Sequence, residues 1–194
     1  MTFFEDFCDE ISTGISNTVV LVDGREVDPD DAVNLCIEKI RSTNEKGGLL
    51  FFCGNGASCT IAEHMSHDWF QNGKVNTYTC SETSHITAIS NDVSYEDVFS
   101  YRIGRILGEK DILVTISSSG NSPNIIKAIK TAKEKGALTI AFCGMKPDNK
   151  SRQFADISFW VPLGTYGLVE SSHSLLLHEI LDLYLDRYQG GRHR

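Results

Sequence analysis

Hydrophobic positions along the chain follow one period and then another. Residues 3–22, FFEDFCDEISTGISNTVVLV, carry apolar side chains at roughly helical spacing, which predicts a first helix. Residues 28–47 repeat that spacing. Asp28 is suited to an N-cap and Pro29 to the first helical position, and Gly47–Gly48 ends the segment. From Leu49 the pattern changes. LLFFC (49–53) is a short continuous apolar run, as a strand buried on both faces requires. VNTYTC (75–80), DILVTIS (111–117), ALTIAFCG (137–144) and DISFWVP (156–162) read as four further strands. Between them lie helical stretches: the one after GNGAS, then SHITAISN, YEDVFSYRIGRILGEK and NIIKAIKTAKEKG, with a last helix from about Gly167 to Tyr188.

Strands alternating with helices predict an open parallel sheet covered on both faces. The expectation is therefore one domain over 1–194. Two N-terminal helices (1–47) precede a three-layer α/β/α sandwich with a five-stranded parallel sheet of flavodoxin-like or Rossmann-like type (48–188). A disordered tail (189–194) follows.

Charge narrows the partners. A net charge of −8 without a basic stripe argues against nucleic acid. No apolar run is long enough to span a membrane, and no charged-then-apolar leader is visible at the N-terminus. The six cysteines form no C-x-x-C pair, and several sit in apolar runs. They read as buried free thiols of a reducing cytoplasm.

Two turns leave predicted strands with phosphate-binding chemistry. In FCGNGAS, Gly54 and Gly56 let backbone approach a ligand and Ser58 offers a hydroxyl at a helix start. In ISSSGNSPN, Ser117, Ser118, Ser119 and Ser122 surround Gly120, with Ser122 placed as N-cap and Pro123 behind it. The free N–H groups of that helix would face an anion held by the serines. G-x-x-x-x-G-K-[ST] is absent and G-x-G-x-x-G incomplete, so no nucleotide cofactor is expected. On the helix after the first turn, AEHMSHDW offers two i, i+4 pairs. His64 and Asp68 share one face and can ligate one ion, whereas Glu63 and His67 read as a solvated or interface pair.

CGNGAS, AEH, AISND, VFS, GEKDILVTISSSGNSPNIIKAIKTAKEKG and VPLGTYGLVESSHSLLLHEI together resemble the sugar isomerase (SIS) domain family, and within it the phosphoheptose isomerases. The resemblance covers about residues 49–185. It implies a five-stranded parallel sheet, a homotetramer with active sites at subunit interfaces, and interconversion of sedoheptulose 7-phosphate with glycero-manno-heptose 7-phosphate. It assigns phosphate to Ser58, Ser117, Ser118, Ser119 and Ser122, and the sugar to Asn55, Asn91, Asp92 and Glu170. Asp68 falls at the position of the base and His178 at that of the catalytic histidine. His64, Asp68, Glu170 and His178 fall at positions through which some members bind zinc. The chain departs from the family pattern by Asp68 for Glu, Glu170 for Gln, Gly167 for an Asp and Asn72 for an Arg.

The chemistry suits such residues. An aldose–ketose isomerase moves a proton between C1 and C2 through an enediolate, so it needs a base on carbon and an acid–base group on the oxygens. Glu170 and His178 stand eight residues apart, roughly 12 Å along a straight helix. They share one ion only if Glu170 lies at a frayed helix start, or if they serve different sites across an interface. The departures leave two alternatives: a sugar-phosphate-binding or protein-docking module, and an isomerase for another sugar phosphate.

Overall fold

The computed structural model describes residues 2–191. Of the expected tail, residues 192–194 lie outside the described residues. The elements run in order as α1 (Phe3–Ser16), β1 (Val19–Val22), β2 (Arg25–Val27), α2 (Pro29–Glu45), β3 (Leu50–Gly54), α3 (Ala57–Gln71), β4 (Thr77–Thr79) and α4 (Thr83–Asp92). A 3-10 turn (Tyr95–Asp97) leads to α5 (Ser100–Ile106), β5 (Ile112–Ser117), α6 (Pro123–Glu134), β6 (Leu138–Gly144), α7 (Lys150–Phe154), β7 (Ile157–Val161) and α8 (Tyr166–Tyr188).

The sheet has seven strands in the order β2-β1-β7-β6-β5-β3-β4. This corrects the expectation of five. Pairings among β3, β4, β5, β6 and β7 are parallel, while β1 runs antiparallel to both β2 and β7. The extra hairpin lies where a helix was expected to continue. Asp23 and Gly24 adopt φ of 49° and 75°, the paired positive angles of a tight hairpin turn. The β-branched run before them pairs Val20 with Phe159 and Leu21 with Ser158. The N-terminal 47 residues are thus helix, hairpin, helix.

Alternation along the strands divides the core. Leu50, Phe52, Val114, Ile116, Ile140 and Phe142 face α2, α3 and α8 through Ile37, Ile40, Met65, Trp69, Leu177 and Tyr184. Their neighbours Phe51, Cys53, Leu113 and Ala141 face the other way, against Ile103, Ile125, Ile129 and Ala155. Period-two alternation makes each strand apolar on both faces, and helices must cover both. All six cysteines are free. Burial pushes the thiols of Cys36, Cys80 and Cys143 up to about 12, so they stay protonated and inert. No helix among the described residues is long and apolar enough to cross a membrane.

His173 lies on the inner side of α8, fully buried, its ring edge-on to Phe142 at 6.3 Å. Burial drives its pKa from 6.5 down to about 4, a shift that the Cys143 backbone group opposes only weakly. The folded state therefore holds His173 neutral while the unfolded chain takes up a proton below about pH 6.5. Stability from this group is complete above pH 6.5, declines as pH falls toward 4 and levels off below, a loss on the order of 3 kcal/mol. Urea unfolding at pH 7.5 and 4.5 should show this decline. His173→Leu should flatten it, and an unchanged slope in that variant would remove His173 as its source.

Candidate active site

Both predicted cradles form at the carboxyl ends of adjacent parallel strands, β3 and β5, where the strand order reverses. Gly54 closes β3. A Cβ there would stand 2.5 Å from the Ser58 carbonyl oxygen, so only glycine lets strand end and helix start meet this closely. Gly56, at φ 56°, is the N-cap of α3 and offers no side-chain cap. Ser122 begins α6 and likewise makes no side-chain cap bond. First-turn N–H groups of both helices are thus left for an anion. Gly120 adopts φ 62°, and a Cβ there would collide with the Asn149 carboxamide.

These turns enclose a cavity of about 280 Å³ lined by Asn55, Ser58, Ser117, Ser118, Ser119, Ser122, Tyr166 and Glu170. Ser58, Ser117 and Ser118 are buried, and the Ser118 hydroxyl has no partner. A buried unpaired hydroxyl is unfavourable unless a ligand satisfies it. Asn55 ties the two turns together. It exchanges paired amide hydrogen bonds with Asn124, each 2.9 Å, and its carbonyl oxygen accepts from the Tyr95 hydroxyl at 3.2 Å. Asn91 and Asp92 do not line this cavity. They are exposed at the end of α4, where the Asn91 amide donates to the Asp92 carboxylate at 2.8 Å.

A second constellation sits further along α3 and α8. His64 Nε2 and His178 Nε2 face each other at 3.2 Å, and Asp68 Oδ2 lies 3.3 Å from the first and 3.8 Å from the second. His178 Nδ1 donates to the Ser174 carbonyl at 2.7 Å, which leaves a lone pair on Nε2 aimed at the other two groups. Tetrahedral zinc with bonds of 2.0–2.1 Å places its donors about 3.4 Å apart. The three donors fit such an ion by type and by separation. With His64 and His178 about half exposed, a fourth position faces outward, as a catalytic metal site requires.

Glu170 stands apart from this trio. Among the described residues the three-residue cluster is His64, Asp68 and His178. Glu170 belongs to the serine cavity instead, because eight residues of unbroken α8 separate it from His178. The two sites are nonetheless neighbours. Both helices begin at the serine cavity and run the same way to the cluster, so the cluster lies roughly 9–12 Å further along. Tyr166, Asn124 and Tyr95 also shape the site; Asn124 ends the turn ISSSGNSPN and Tyr166 lies in VPLGTYGLVE, but neither residue type singled them out there. Glu63 and His67 are exposed and outside the cluster, and the His85 ring bonds the Val98 carbonyl at 2.8 Å.

Larger clefts lie elsewhere. One of about 450 Å³, at the opposite ends of β5 and β6, contains Asp111 and Asp156. The Asp111 oxygens already accept from Leu49 and Gly108 N–H at 2.8 and 2.7 Å, and Asp156 is held by Thr139 and Lys133. Those carboxylates are structural.

A serine-lined anion cavity at the switch point of a parallel sheet, beside an imidazole–carboxylate cluster, defines an α/β protein that handles phosphate esters. The SIS domain model matches residues 19–144. The phosphoheptose isomerase of Proteus mirabilis is 36% identical over 164 residues, 79% of this chain and 85% of that one. That of Helicobacter pylori strain P12 is 32% identical over 157 residues, covering 78% and 79%. A solved phosphoheptose isomerase of Neisseria gonorrhoeae superposes with a TM-score of 0.80 at 26% identity, covering 93% of this chain and 94% of that chain. The chain belongs to the SIS domain family and, within it, to the phosphoheptose isomerases.

Proposed function

We propose that this chain isomerises sedoheptulose 7-phosphate to glycero-manno-heptose 7-phosphate through an enediolate. The observation that carries the reading is the pairing of the two sites: an anion cavity and a proton-handling cluster, set apart along α3 and α8 by about the length of an extended phosphorylated sugar. Ser58, Ser117, Ser118, Ser119, Ser122 and the free helix N–H groups hold the phosphate end. Asn55, fixed by Asn124 and Tyr95, presents its amide to the sugar, with Asn91 and Asp92 as outer sugar contacts.

His64, Asp68 and His178 would hold a divalent ion, zinc by donor type. When bound, that ion supplies positive charge next to the enediolate oxygens. His178, its Nδ1 proton fixed on the Ser174 carbonyl, would turn its Nε2 lone pair to that ion. The carbon-bound proton needs a carboxylate base, and the site offers Asp68 and Glu170. Tyr166 is 64% exposed beside the cavity, and Phe3, Phe4, Phe70 and Leu175 are also exposed large apolar residues. Exposed apolar surface on this scale supports assembly of copies, with a homotetramer as the expected form and the sites at its interfaces.

Incubation of the purified protein with sedoheptulose 7-phosphate, with and without added zinc, should yield the aldose phosphate. Absence of product in both, together with thermal stabilisation by phosphate esters, would point instead to a binding module.

A further inference from the structure

We infer that Asn124 is a positioning residue: it locks the Asn55 carboxamide so that Asn55 meets a bound sugar phosphate only as a hydrogen-bond donor. The inference takes its ligand from the reading above and gives a role to a residue outside the cavity lining.

One backbone group sets the direction of the lock. The Ile125 N–H can only donate, and the atom it meets, at 3.0 Å, is Asn124 Oδ1. That contact fixes which end of the Asn124 amide is oxygen and which is nitrogen. Asn124 Nδ2 then donates to Asn55 Oδ1, and Asn55 Nδ2 donates back to Asn124 Oδ1, each at 2.9 Å. The Tyr95 hydroxyl donates to the same Asn55 oxygen at 3.2 Å. Both lone pairs of Asn55 Oδ1 are thereby taken, and one of its two amide protons. The second amide proton has no acceptor among the described residues. It is the one polar group of Asn55 left for an occupant of the cavity that Asn55 lines.

The direction matters at this cavity. Its lining includes Glu170 and, among the described residues, no lysine or arginine. Neutral donors must therefore supply the attraction for an anion. A reversed Asn55 would offer a carbonyl oxygen instead and turn attraction into repulsion. Asn124 opposes that reversal, which would set oxygen against oxygen and nitrogen against nitrogen across the pair. Asn124 is 2% exposed, so water cannot easily take over its bonds. The lock joins residues 69 apart in the chain and braces the starts of α3 and α6, the two helices that face the anion.

A double-mutant cycle tests the lock, because a residue that acts through Asn55 loses its effect once Asn55 is gone. Calorimetric titration with sedoheptulose 7-phosphate reads binding to the wild type, Asn124→Ala, Asn55→Ala and the double variant. Each single substitution should weaken binding about three- to tenfold. In the Asn55→Ala background, Asn124→Ala should cost less than about a further twofold. A merely structural role costs the same factor in both backgrounds, and that additive result would overturn the inference. Asn124→Asp gives a second reading if alanine at this buried position prevents folding. It keeps the volume and the oxygen that takes up the Ile125 N–H, removes the donor to Asn55 and adds a charge. Only the effect of the charge should survive in the Asn55→Ala background, so the loss there should be about threefold smaller or less. An equal loss in both backgrounds would overturn the lock. A parallel titration with inorganic phosphate locates the acceptor. The same coupling with phosphate puts it on the phosphoryl group, coupling with the sugar ester alone puts it on the sugar, and either supports the lock. The titrations read binding and not turnover. A wild type that shows the coupling yet forms no aldose phosphate would overturn the isomerase reading and leave the lock standing, whereas one that binds neither ligand would overturn both.

Discussion

Replacing His178 by alanine is expected to lower turnover of sedoheptulose 7-phosphate by about 10²–10⁴ and to empty the cluster of divalent metal, while the fold is unchanged. The Nε2 of His178 faces both His64 Nε2 and Asp68 Oδ2, so its removal leaves two donors from one helix. Two donors at i, i+4 do not complete a tetrahedral set. The side chain is 40% exposed and its one fixed hydrogen bond goes to a carbonyl on its own helix, so truncation opens no cavity in the core. Stability should move by no more than about 0.5 kcal/mol. Elemental analysis and steady-state kinetics check the two losses, and thermal unfolding checks the control. A variant that keeps wild-type metal content would remove His178 from the ligand set.

Trp69→Ala should destabilise the protein by about 3–5 kcal/mol, a large part of the stability of a domain this size. Trp69 follows Asp68, about 100° further round α3, and is buried in the core. It is 2% exposed, meets the Tyr184 ring edge-on at 4.9 Å, and packs so closely under Gly73 that a Cβ there would stand 2.8 Å from its ring. Few residues near this seam can fill the void, because Tyr184 is itself pinned against Tyr188. The same contact holds α3 against α8, and these two helices carry the halves of the His64, Asp68 and His178 cluster. Chemical denaturation gives the stability loss, and metal affinity should fall with it. A cost under 1 kcal/mol would mean that the seam repacks and that the cluster does not depend on it.

The parts of the molecule that could be read along the chain are those set by local chemistry. Asp28–Pro29 marks a helix start by a side-chain cap and the fixed proline φ, and Ser122–Pro123 by the fixed proline φ, each acting over one turn. The runs at 50–54, 112–117 and 138–144 are strands because no half-exposed element tolerates such continuous apolarity. The hairpin at Val19–Val27 was also marked, by Asp23–Gly24. The valines before it nonetheless prolong the helical spacing of α1, and their burial depends on β7, about 140 residues away.

The site divides in the same way. Ser58, Ser117, Ser118, Ser119 and Ser122 were legible because a glycine-broken hydroxyl run at a strand end has a local reason to bind anions. The four-residue metal set drawn from family resemblance was not decidable by spacing, which leaves open which side of α8 meets α3 and at what height.

By itself, then, the sequence determined the alternation of elements, the two glycine-broken turns at strand ends and the i, i+4 pairing of His64 with Asp68, since each arises within a few residues. Only the tertiary structure decided that His178 closes that pair into a trio while Glu170 turns to the serine cavity. Both residues lie on one rigid helix, and a helix rises by a fixed 1.5 Å per residue. Once α8 is docked beside α3 through Trp69 and Tyr184, the level of each side chain is set by that docking and by nothing in its own neighbourhood along the chain.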